Sequence, residues 1–485
     1  GKVDERKKAG DPAKGTTCFA GKGACLRSGK IVCSNKNWVC NARAASTSNR
    51  YERSCSSRPN GNVGADDDCD GYIDDLCVKT ISGTLARSGS SDGSSTNLGQ
   101  HNRPTGITWG AMGNTEYLFV ADPGNRIIRR LTLMGQGQHV RRRERIVGQT
   151  GNDGGKNNRG QDGQGRNIHL LYPGALTADY DSTAKTSKYL YFSDLQAFTI
   201  RRVDLTAKQN NNNTWNVVTL AGAHKSKGNA NGSGTSARFG EVFGLALSED
   251  NKTLYITDAS YHNVRFMNLS GTGLPSVQIL AGSINGQSGG NDGNGTSARF
   301  ERPMGSAFYK DSSGRKYLYV LEGLKGEKSS NQRKRRSRIR RIDLNPGKSN
   351  RVETWVTSDV FHTQCMSTRN VKKKDNDDLR DMKHSAMGLA LRHGRLYASA
   401  HGGHRYCVFS LTRKNVYFSL EGAGVADQEG KLDFTTTDSR DPRANPVLDT
   451  VWGITLRRTG TGAQVIYFTE FDNHTVRVHP QPYLP

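Results

Sequence analysis

The sequence lacks any run of about 18 apolar residues that could cross a bilayer as a helix. Its hydrophobic content is only 34% over 485 residues, while glycine is abundant at 56 residues. It also lacks an HExxH metalloprotease motif, and glycine-rich stretches such as GNDGNG are not followed by the Lys-Ser/Thr that phosphate binding requires. The composition therefore indicates a chain of short strands and many loops, with no span across a membrane.

Positive charge is in excess. The net charge is +24, from 69 basic and 45 acidic residues. Residues 1–78 hold 13 Lys/Arg and 10 Asp/Glu, which leaves about +21 for the remainder. Such a surface attracts polyanions, whether nucleic acid, acidic glycans or an acidic protein, in a salt-dependent manner. Charge alone does not choose among these three classes of partner.

Cysteine is concentrated at one end, because seven of the nine lie between Cys18 and Cys77. This density predicts disulfides formed in an oxidising compartment, hence an extracellular or cell-surface protein. A zinc site is the alternative, but no Cys-x-x-Cys pair occurs. We therefore divide the chain into a charged arm at 1–17, a cysteine-rich module at 18–77 and a repeat domain at 78–485. The seven are Cys18, Cys25, Cys33, Cys40, Cys55, Cys69 and Cys77.

The stretch ADDDCDGYIDDLC, residues 65–77, carries the clearest metal-binding pattern. Carboxylates alternate, and a glycine permits the sharp bend that turns successive oxygens onto one hard cation, as in a calcium loop. The twelfth position, normally a bidentate Glu, is Cys77 here. An acidic turn exposed to solvent is the simpler alternative. The predicted calcium ligands are Asp66, Asp68, Asp70, Tyr72 and Asp74.

Together with the preceding cysteines, DDDCDGYIDD resembles the MopE-type metal-binding motif of secreted and surface proteins. The resemblance covers the cysteine-rich module at 18–77. It implies an extracellular module stabilised by calcium and disulfides, and implies little about activity.

Residues 78–485 contain six repeated units, and two of them share the phrase GTSARF. Each unit contains three short phrases, which in the first unit are PTGITW, YLFVAD and RIIRRL and in the others are close variants. Such phrases are typical of short antiparallel strands. The last unit ends one strand short, while VKTISG at 78–83 has the ending of such a strand. These phrases resemble NHL repeats, and the resemblance extends over the whole repeat domain. We therefore expect an all-β, six-bladed β-propeller closed by its N-terminal strand.

An acidic residue recurs between the second and third strands of a unit. We predict that it accepts hydrogen bonds from turn amides and is structural. The fourth and fifth units depart from the pattern with Glu322 and His401. The acidic residues are Asp122, Asp194, Asp258 and, shifted, Asp472.

Two insertions interrupt the repeats. The first, 324–341, concentrates basic residues and is either a solvated hairpin tip, a polyanion-binding loop or a protease processing site. The second, 358–386, contains Cys365, which we expect to pair with Cys407 of the same unit. The candidate polyanion-binding residues are Arg333, Lys334, Arg335, Arg336 and Arg338.

Function is expected to be recognition or assembly without catalysis, with protein partners, further copies of the chain or acidic glycans. An RNA- or polyanion-binding propeller is the alternative, although the longest basic runs contain no aromatic residue for base stacking. A metal-dependent lyase or hydrolase using His401 and His404, with Tyr406 close by, is the second alternative. Sequons that permit a glycoprotein begin at Asn212, Asn231, Asn251, Asn268, Asn294 and Asn473.

Overall fold

The computed structural model describes residues 17–20, 27–34, 37–40, 79–84, 87–94, 97–134, 139–150, 160–206, 215–323, 327–329, 332–334, 337–365, 387–392, 394–400, 405–418, 451–457 and 464–481. The chain divides into two compact units. One comprises residues 78–420 and 448–479, and the other comprises 1–77, 421–447 and 480–485.

The N-terminal unit contains a three-stranded antiparallel sheet of Thr17–Ala20, Arg27–Ser34 and Asn37–Cys40. The pairing aligns Cys33 with Trp38. The predicted calcium loop at 66–74 lies outside the described residues, so its site remains a prediction.

The larger unit is a propeller whose described residues form six antiparallel blade sheets and one two-stranded hairpin. In blades 1 to 5 the four main strands run from the inner strand to the outer one in chain order. Blade 1 consists of Ile107–Met112, Thr115–Asp122, Ile127–Met134 and His139–Val147. Blade 2 consists of Pro173–Ala178, Tyr189–Asp194, Thr199–Asp204 and Asn216–Ala221. Blade 3 consists of Val242–Leu247, Thr253–Asp258, Asn263–Asn268 and Ser276–Gly282.

The remaining blades follow the same order. Blade 4 consists of Pro303–Lys310, Lys316–Gly323, Ser337–Asp343 and Arg351–Val356. Blade 5 consists of Leu389–Arg392, Arg395–Ala400, Arg405–Ser410 and Tyr417–Phe418. Blade 6 consists of Val451–Leu456, Gln464–Glu470 and Thr475–Gln481, completed by Lys79–Ser82.

The ring is closed by the N-terminal strand, as the sequence predicts. Lys79–Ser82 pairs antiparallel with the last strand, aligning Ser82 with Val476 and Thr80 with Arg477. Three strands of blade 6 thus come from the end of the chain and one from its beginning. This closure pairs edges that an open ring would leave exposed.

The glycine-rich loops contain a feature that the repeat pattern does not reveal. Each of blades 1 to 4 carries a fifth, two-residue strand against its outer strand. In blade 3, Gly232 and Ser233 pair with Val277 and Ser276. Because such a strand forms hydrogen bonds with the outward-facing backbone groups of the outer strand, fewer of these groups stay unpaired at the edge of the blade. The four strands are Gly93–Ser94, Gly163–Gln164, Gly232–Ser233 and Gly293–Asn294.

The core lies between neighbouring blades. Phe119 of blade 1 packs in one cluster with Leu176, Phe192 and Trp215 of blade 2. Second strands such as YLYFSD are buried along nearly their whole length, because both faces of a blade are covered. No blade could bury these faces alone, and the ring is therefore the folding unit.

One α-helix, Ser358–Cys365, follows blade 4. Cys365 forms a disulfide with Cys407 in the third strand of blade 5. This is the pair that the sequence predicts. Among the described residues no helix is long and apolar enough to span a membrane.

Candidate functional site

The alternating strand directions give the propeller two unequal faces. We call interblade face the one that carries the turns between second and third strands and the loops that lead from each blade to the next. The opposite face carries the other two kinds of turn. The basic insertion within 324–336 and the helix Ser358–Cys365 both interrupt loops of the interblade face. The turn that contains His401 and His404 also belongs to it by its position in the chain, although both residues lie outside the described part.

The acidic residues at the turns of the interblade face bind backbone amides, as predicted. Asp194 accepts hydrogen bonds from the amides of Leu171 (3.0 Å) and Tyr172 (2.7 Å). Asp258 accepts one from the amide of Gly240 at 2.7 Å. Each carboxylate therefore fixes the loop that enters its own blade.

The prediction for blade 6 was wrong by two residues. In the strand register Glu470 pairs with Val451 as Asp194 pairs with Pro173, so Glu470 and not Asp472 holds the acidic position. Glu470 is fully buried and accepts a hydrogen bond from the Thr475 hydroxyl at 2.5 Å. The glutamate resembles Glu322 of blade 4.

The sequence analysis also placed the acidic position of blade 5 one residue too late, at His401. Ser399 donates a hydrogen bond to the carbonyl of Trp452 at 2.7 Å, as Ser193 of blade 2 does to the carbonyl of Val242 at 2.8 Å. Because Ser193 directly precedes the acidic residue of blade 2, the corresponding position of blade 5 is Ala400 rather than His401.

The sequence analysis missed a set of buried arginines in the third strands. Arg265 is fully buried, and its guanidinium lies 4.9 Å from the centroid of the Phe239 ring. It donates to the carbonyl of Ala230 (2.7 Å) and to Oδ1 of Asn231 (2.8 Å). Burial lowers its pKa to about 10. Five third strands carry such a residue, namely Arg129, Arg201, Arg265, Arg340 and Arg477.

These buried arginines explain the repeat phrase Arg-Arg in the third strands. The first arginine is buried against the loop that enters its blade. The guanidinium of the second stacks on a tyrosine ring of the second strand. Arg202 lies 4.3 Å from the Tyr189 ring centroid, and Arg341 lies 4.6 Å from that of Tyr317. Much of the basic charge is thus structural, so net charge overstates what the surface offers to a polyanion.

Aromatic side chains surround the propeller axis on the interblade face. The rings of Trp452 and Phe471 stack at 4.8 Å, and Phe243 lies 6.4 Å from Trp452. Buried Met304 and Met387 pack with them. Phe243, Met304 and Trp452 lie at the starts of inner strands, whereas Phe471 follows the second strand of blade 6.

A pocket opens beside Phe243, between the loops of blades 2 and 3. Its volume is about 200 Å³. Burial raises the pKa of Tyr172 to about 12, so its phenol stays protonated at neutral pH and can donate a hydrogen bond. We name it the Phe243 pocket; it is lined by Tyr172, Leu195, Gln196, Phe198, Glu241 and Phe243.

Known proteins with similar sequence are NHL repeat-containing proteins. NHL repeat-containing protein 2 of Gallus gallus is 28% identical over 179 residues, which are 37% of this chain and 22% of that protein. The Homo sapiens protein is 29% identical over 168 residues, which are 34% of this chain and 21% of that protein. The chain thus spans about a fifth of the length of the curated relatives it matches. No family model matches the chain.

The similarity to NHL repeat-containing proteins covers about a third of this chain, and its described blades form a six-bladed β-propeller. Solved structures of similar fold include a chain from a nidogen/laminin complex, with TM-score 0.41 and 13% identity over 75% of this chain and 88% of that one. An auxiliary nutrient binding protein from Bacteroides thetaiotaomicron has TM-score 0.34 and 11% identity over 83% of this chain and 75% of that one. Neither likeness bears on function.

The basic insertion of the propeller forms a small hairpin. Strand Glu327–Ser329 pairs with Gln332–Lys334, which places Arg333 and Lys334 on its second strand. Arg335 and Arg336 lie outside the described residues. The fifth candidate, Arg338, is engaged within the blade: its guanidinium pairs with Glu322 and donates to the carbonyl of Gly289 at 3.0 Å.

Tyr406, named beside the candidate metal ligands, lies in the third strand of blade 5. It is buried and hydrogen-bonds to Nδ1 of His479, so its hydroxyl points toward blade 6. Within the described ranges, no group of three or more His, Cys, Asp or Glu residues is arranged to hold a metal ion. The predicted ligands at 66–74 lie outside those ranges.

Proposed function

We propose that this chain is a secreted or cell-surface recognition protein without a catalytic role. Its NHL-type propeller would bind a protein partner, a second copy of the chain or an acidic glycan through the interblade face. Calcium and disulfides would stabilise the module at 18–77, and the whole would serve as a subunit of an extracellular assembly. The observation that carries this proposal is the inequality of the two faces.

The inequality is visible in the strand bounds. Between consecutive strands of the blades, the long intervals on the interblade face run from Gly323 to Ser337 and from Val356 to Leu389. On the opposite face the longest such interval is from Asp204 to Asn216. Rigid scaffolds commonly carry their binding residues on long loops of one face. The half-buried aromatic rings of the Phe243 pocket lie on the same face.

The extracellular location is supported by cysteine usage. Seven cysteines packed between Cys18 and Cys77 are typical of small disulfide-linked modules, and Cys365–Cys407 adds a disulfide inside the propeller. Alkylating the intact protein under denaturing, non-reducing conditions, followed by mass spectrometry, tests this. We expect at most one free thiol and recovery of the protein from medium or cell surface. Nine free thiols or a purely cytosolic protein would overturn the location.

The calcium proposal is tested at the predicted loop. In the full-length protein, Asp68→Asn with Asp70→Asn should abolish calcium binding measured by isothermal titration. Asp311→Asn, in an exposed turn of the propeller, is the control and should leave binding unchanged. Equal calcium binding by the wild type and the double variant would refute the assigned ligands.

The interblade face is tested by hydroxyl-radical footprinting of the protein in intact extracellular material and after extraction. We expect protection of Phe198 and Phe243 in the intact material and no protection of Tyr309 on the strand that leads to the opposite face. Equal labelling of all three residues in both samples would mean that this face binds nothing there. Charge-reversed Arg103→Glu should then fail to incorporate, whereas Lys252→Glu on the opposite face should incorporate normally.

A further inference from the structure

We propose that the Phe243 pocket binds one sugar ring of an acidic polysaccharide, and that the acid group of the sugar lies against the cations at the rim. This inference rests on the proposed function, because it names a ligand for the interblade face.

The walls suit a sugar ring. Phe198, Phe243 and Tyr172 supply ring surface, and a pyranose has faces of polarised C–H groups that pack against the electron-rich face of an aromatic ring. Gln196 and Glu241 supply amide and carboxylate groups for hydroxyls. A few polar groups among apolar walls are the usual composition of a small-ligand site. The volume of about 200 Å³ accommodates one ring rather than an extended oligomer.

The rim is basic. Lys227 is exposed, and its Nζ lies 5.9 Å from the centroid of the Phe198 ring. Lys225 is exposed next to it and is held by a backbone hydrogen bond to Ala197 at 3.0 Å. Arg103, in the loop that enters blade 1, is exposed; its guanidinium lies 5.6 Å from the centroid of the Phe471 ring, and its positive charge acts on the phenol of Tyr172.

This arrangement excludes a cationic ligand and favours an acidic one. Three cations at the rim oppose the single carboxylate of Glu241, so a lysine or arginine side chain of a partner would be repelled although the aromatic walls could otherwise hold it. Glu241 is itself held by a hydrogen bond from Ser260 at 3.3 Å. Its carboxylate can accept hydrogen bonds from the hydroxyls of a sugar.

Nucleic acid suits the face less well than a glycan. Each nucleotide brings one phosphate, so a strand bound along the face needs a row of exposed cations. Arginines of the third strands, such as Arg201 and Arg265, are buried and cannot supply it. A polymer of uronic acid and neutral sugars carries fewer charges for its length, and three rim cations can match it.

The test uses the full-length, disulfide-bonded protein and defined probes. Binding of polygalacturonate oligosaccharides, hyaluronan oligosaccharides, neutral dextran and a 12-nucleotide single-stranded RNA is measured by isothermal titration. We expect at least one uronate probe to bind and dextran and RNA to bind at least roughly tenfold more weakly. Phe243→Ala and Gln196→Ala should each weaken uronate binding roughly tenfold. Lys227→Glu should weaken it further at low salt.

The matched control is Lys252→Glu, which makes the same charge change at an exposed position of the opposite face and should leave affinity unchanged. Because Gln196 is exposed, its replacement should change the free energy of unfolding by less than about 0.5 kcal/mol, which keeps the test decisive if Phe243→Ala destabilises the blade. Absence of uronate binding, uronate binding that survives Gln196→Ala, or tighter binding of RNA would overturn the inference. If footprinting still protects the interblade face in such a case, the sugar ligand is wrong and the recognition function stands.

Discussion

The Ser82 hydroxyl lies 2.7 Å from Nε2 of His101, which joins the strand that closes the propeller to the loop that enters blade 1. On its other side His101 lies 3.4 Å from the carboxylate of Asp122. The order of the three groups is that of a serine-hydrolase triad, but all three side chains are almost completely buried and Asp122 is paired with Arg129 at 3.0 Å. No substrate can reach Ser82, so the arrangement is structural: it connects the closing strand to blade 1.

Acidification is expected to weaken this connection. Burial lowers the pKa of His101 below 6.5, with Arg129 and Arg143 adding to the effect and Asp122 opposing it. Since the unfolded chain takes up this proton more readily, the contribution of His101 to stability is present above about pH 6.5 and is lost as the pH falls below it. Urea unfolding at pH 7.5 and pH 5.5 should therefore show a smaller loss of stability for His101→Gln than for the wild type.

Other groups titrate between pH 5.5 and pH 7.5, but their contributions cancel when His101→Gln is compared with the wild type. Burial raises the pKa of Asp258 to about 6, so protonation of that carboxyl favours the folded state as the pH falls, with the opposite sign to His101. Asp258 is present in both proteins and cancels in the difference. His139→Gln, at an exposed position of blade 1, should behave like the wild type. Identical pH dependence in His101→Gln and the wild type would show that His101 does not set the response.

The sequence predicted the parts of the fold that depend on local pattern. Strand alternation, the six repeats and the early strand near Thr80 can be predicted because each depends on residues that are close together in the sequence. The position of Glu470 was missed because the turn of blade 6 places an acid two residues earlier than the sequence phrase suggests. Arginines such as Arg265 read as surface charge, since their burial depends on a loop, containing Asn231, that lies far from them along the chain.

The candidate site was harder to predict than the fold. Tyr172 and Phe198 come from two separate loops and Phe243 from the start of an inner strand, and only the packing of blade 2 against blade 3 brings them together. Spacing along the chain therefore carries no signal for the pocket. For the basic insertion, the sequence shows the charges but not their partners. Its run of basic residues is obvious, whereas the ion pair between Arg338 and Glu322 is visible only in the structure.

Removal of a buried arginine should be costly. Arg265→Met keeps most of the volume over Phe239 but leaves the carbonyl of Ala230 and Oδ1 of Asn231 without their donor. We expect a loss of about 3 kcal/mol in the free energy of unfolding, since buried polar groups that lose a charged partner are expensive. Guanidinium chloride denaturation measures it. Arg351→Met, at an exposed position, should change stability by less than about 0.5 kcal/mol, and equal effects of the two substitutions would contradict the structural role of Arg265.

Close approach of the inner strands requires a residue without a side chain at Gly244. A Cβ atom built there would lie 2.2 Å from the carbonyl oxygen of Met304 in the next blade, so the two inner strands would have to separate. Gly244→Ala should therefore lower the free energy of unfolding by at least about 2 kcal/mol. Gly271→Ala is the control, because no atom lies within 4 Å of its added Cβ. A Gly244→Ala variant as stable as Gly271→Ala would show that the inner strands can separate without cost.

The disulfide between Cys365 and Cys407 should stabilise blade 5. It closes a sequence separation of 42 residues, for which loss of chain entropy in the unfolded state predicts about 4 kcal/mol. Both cysteines pack in an apolar cluster with Phe361 and Phe409, whose rings stack at 5.5 Å. The double variant Cys365→Ala, Cys407→Ala also loses side-chain volume in this cluster. We therefore expect the oxidised wild type to be the most stable, the reduced wild type to be less stable and the double variant to be the least stable.

Comparing four samples, the wild type and the double variant each with and without reductant, separates the cross-link from the packing. Because the reductant also reaches other cysteines, the double variant is measured with and without it, and its own response is subtracted from that of the wild type. A remaining difference of several kcal/mol in guanidinium chloride denaturation belongs to Cys365–Cys407. If no difference remains, the helix Ser358–Cys365 is held on blade 5 by packing against Phe409 alone, and the covalent link adds nothing to the stability of the propeller.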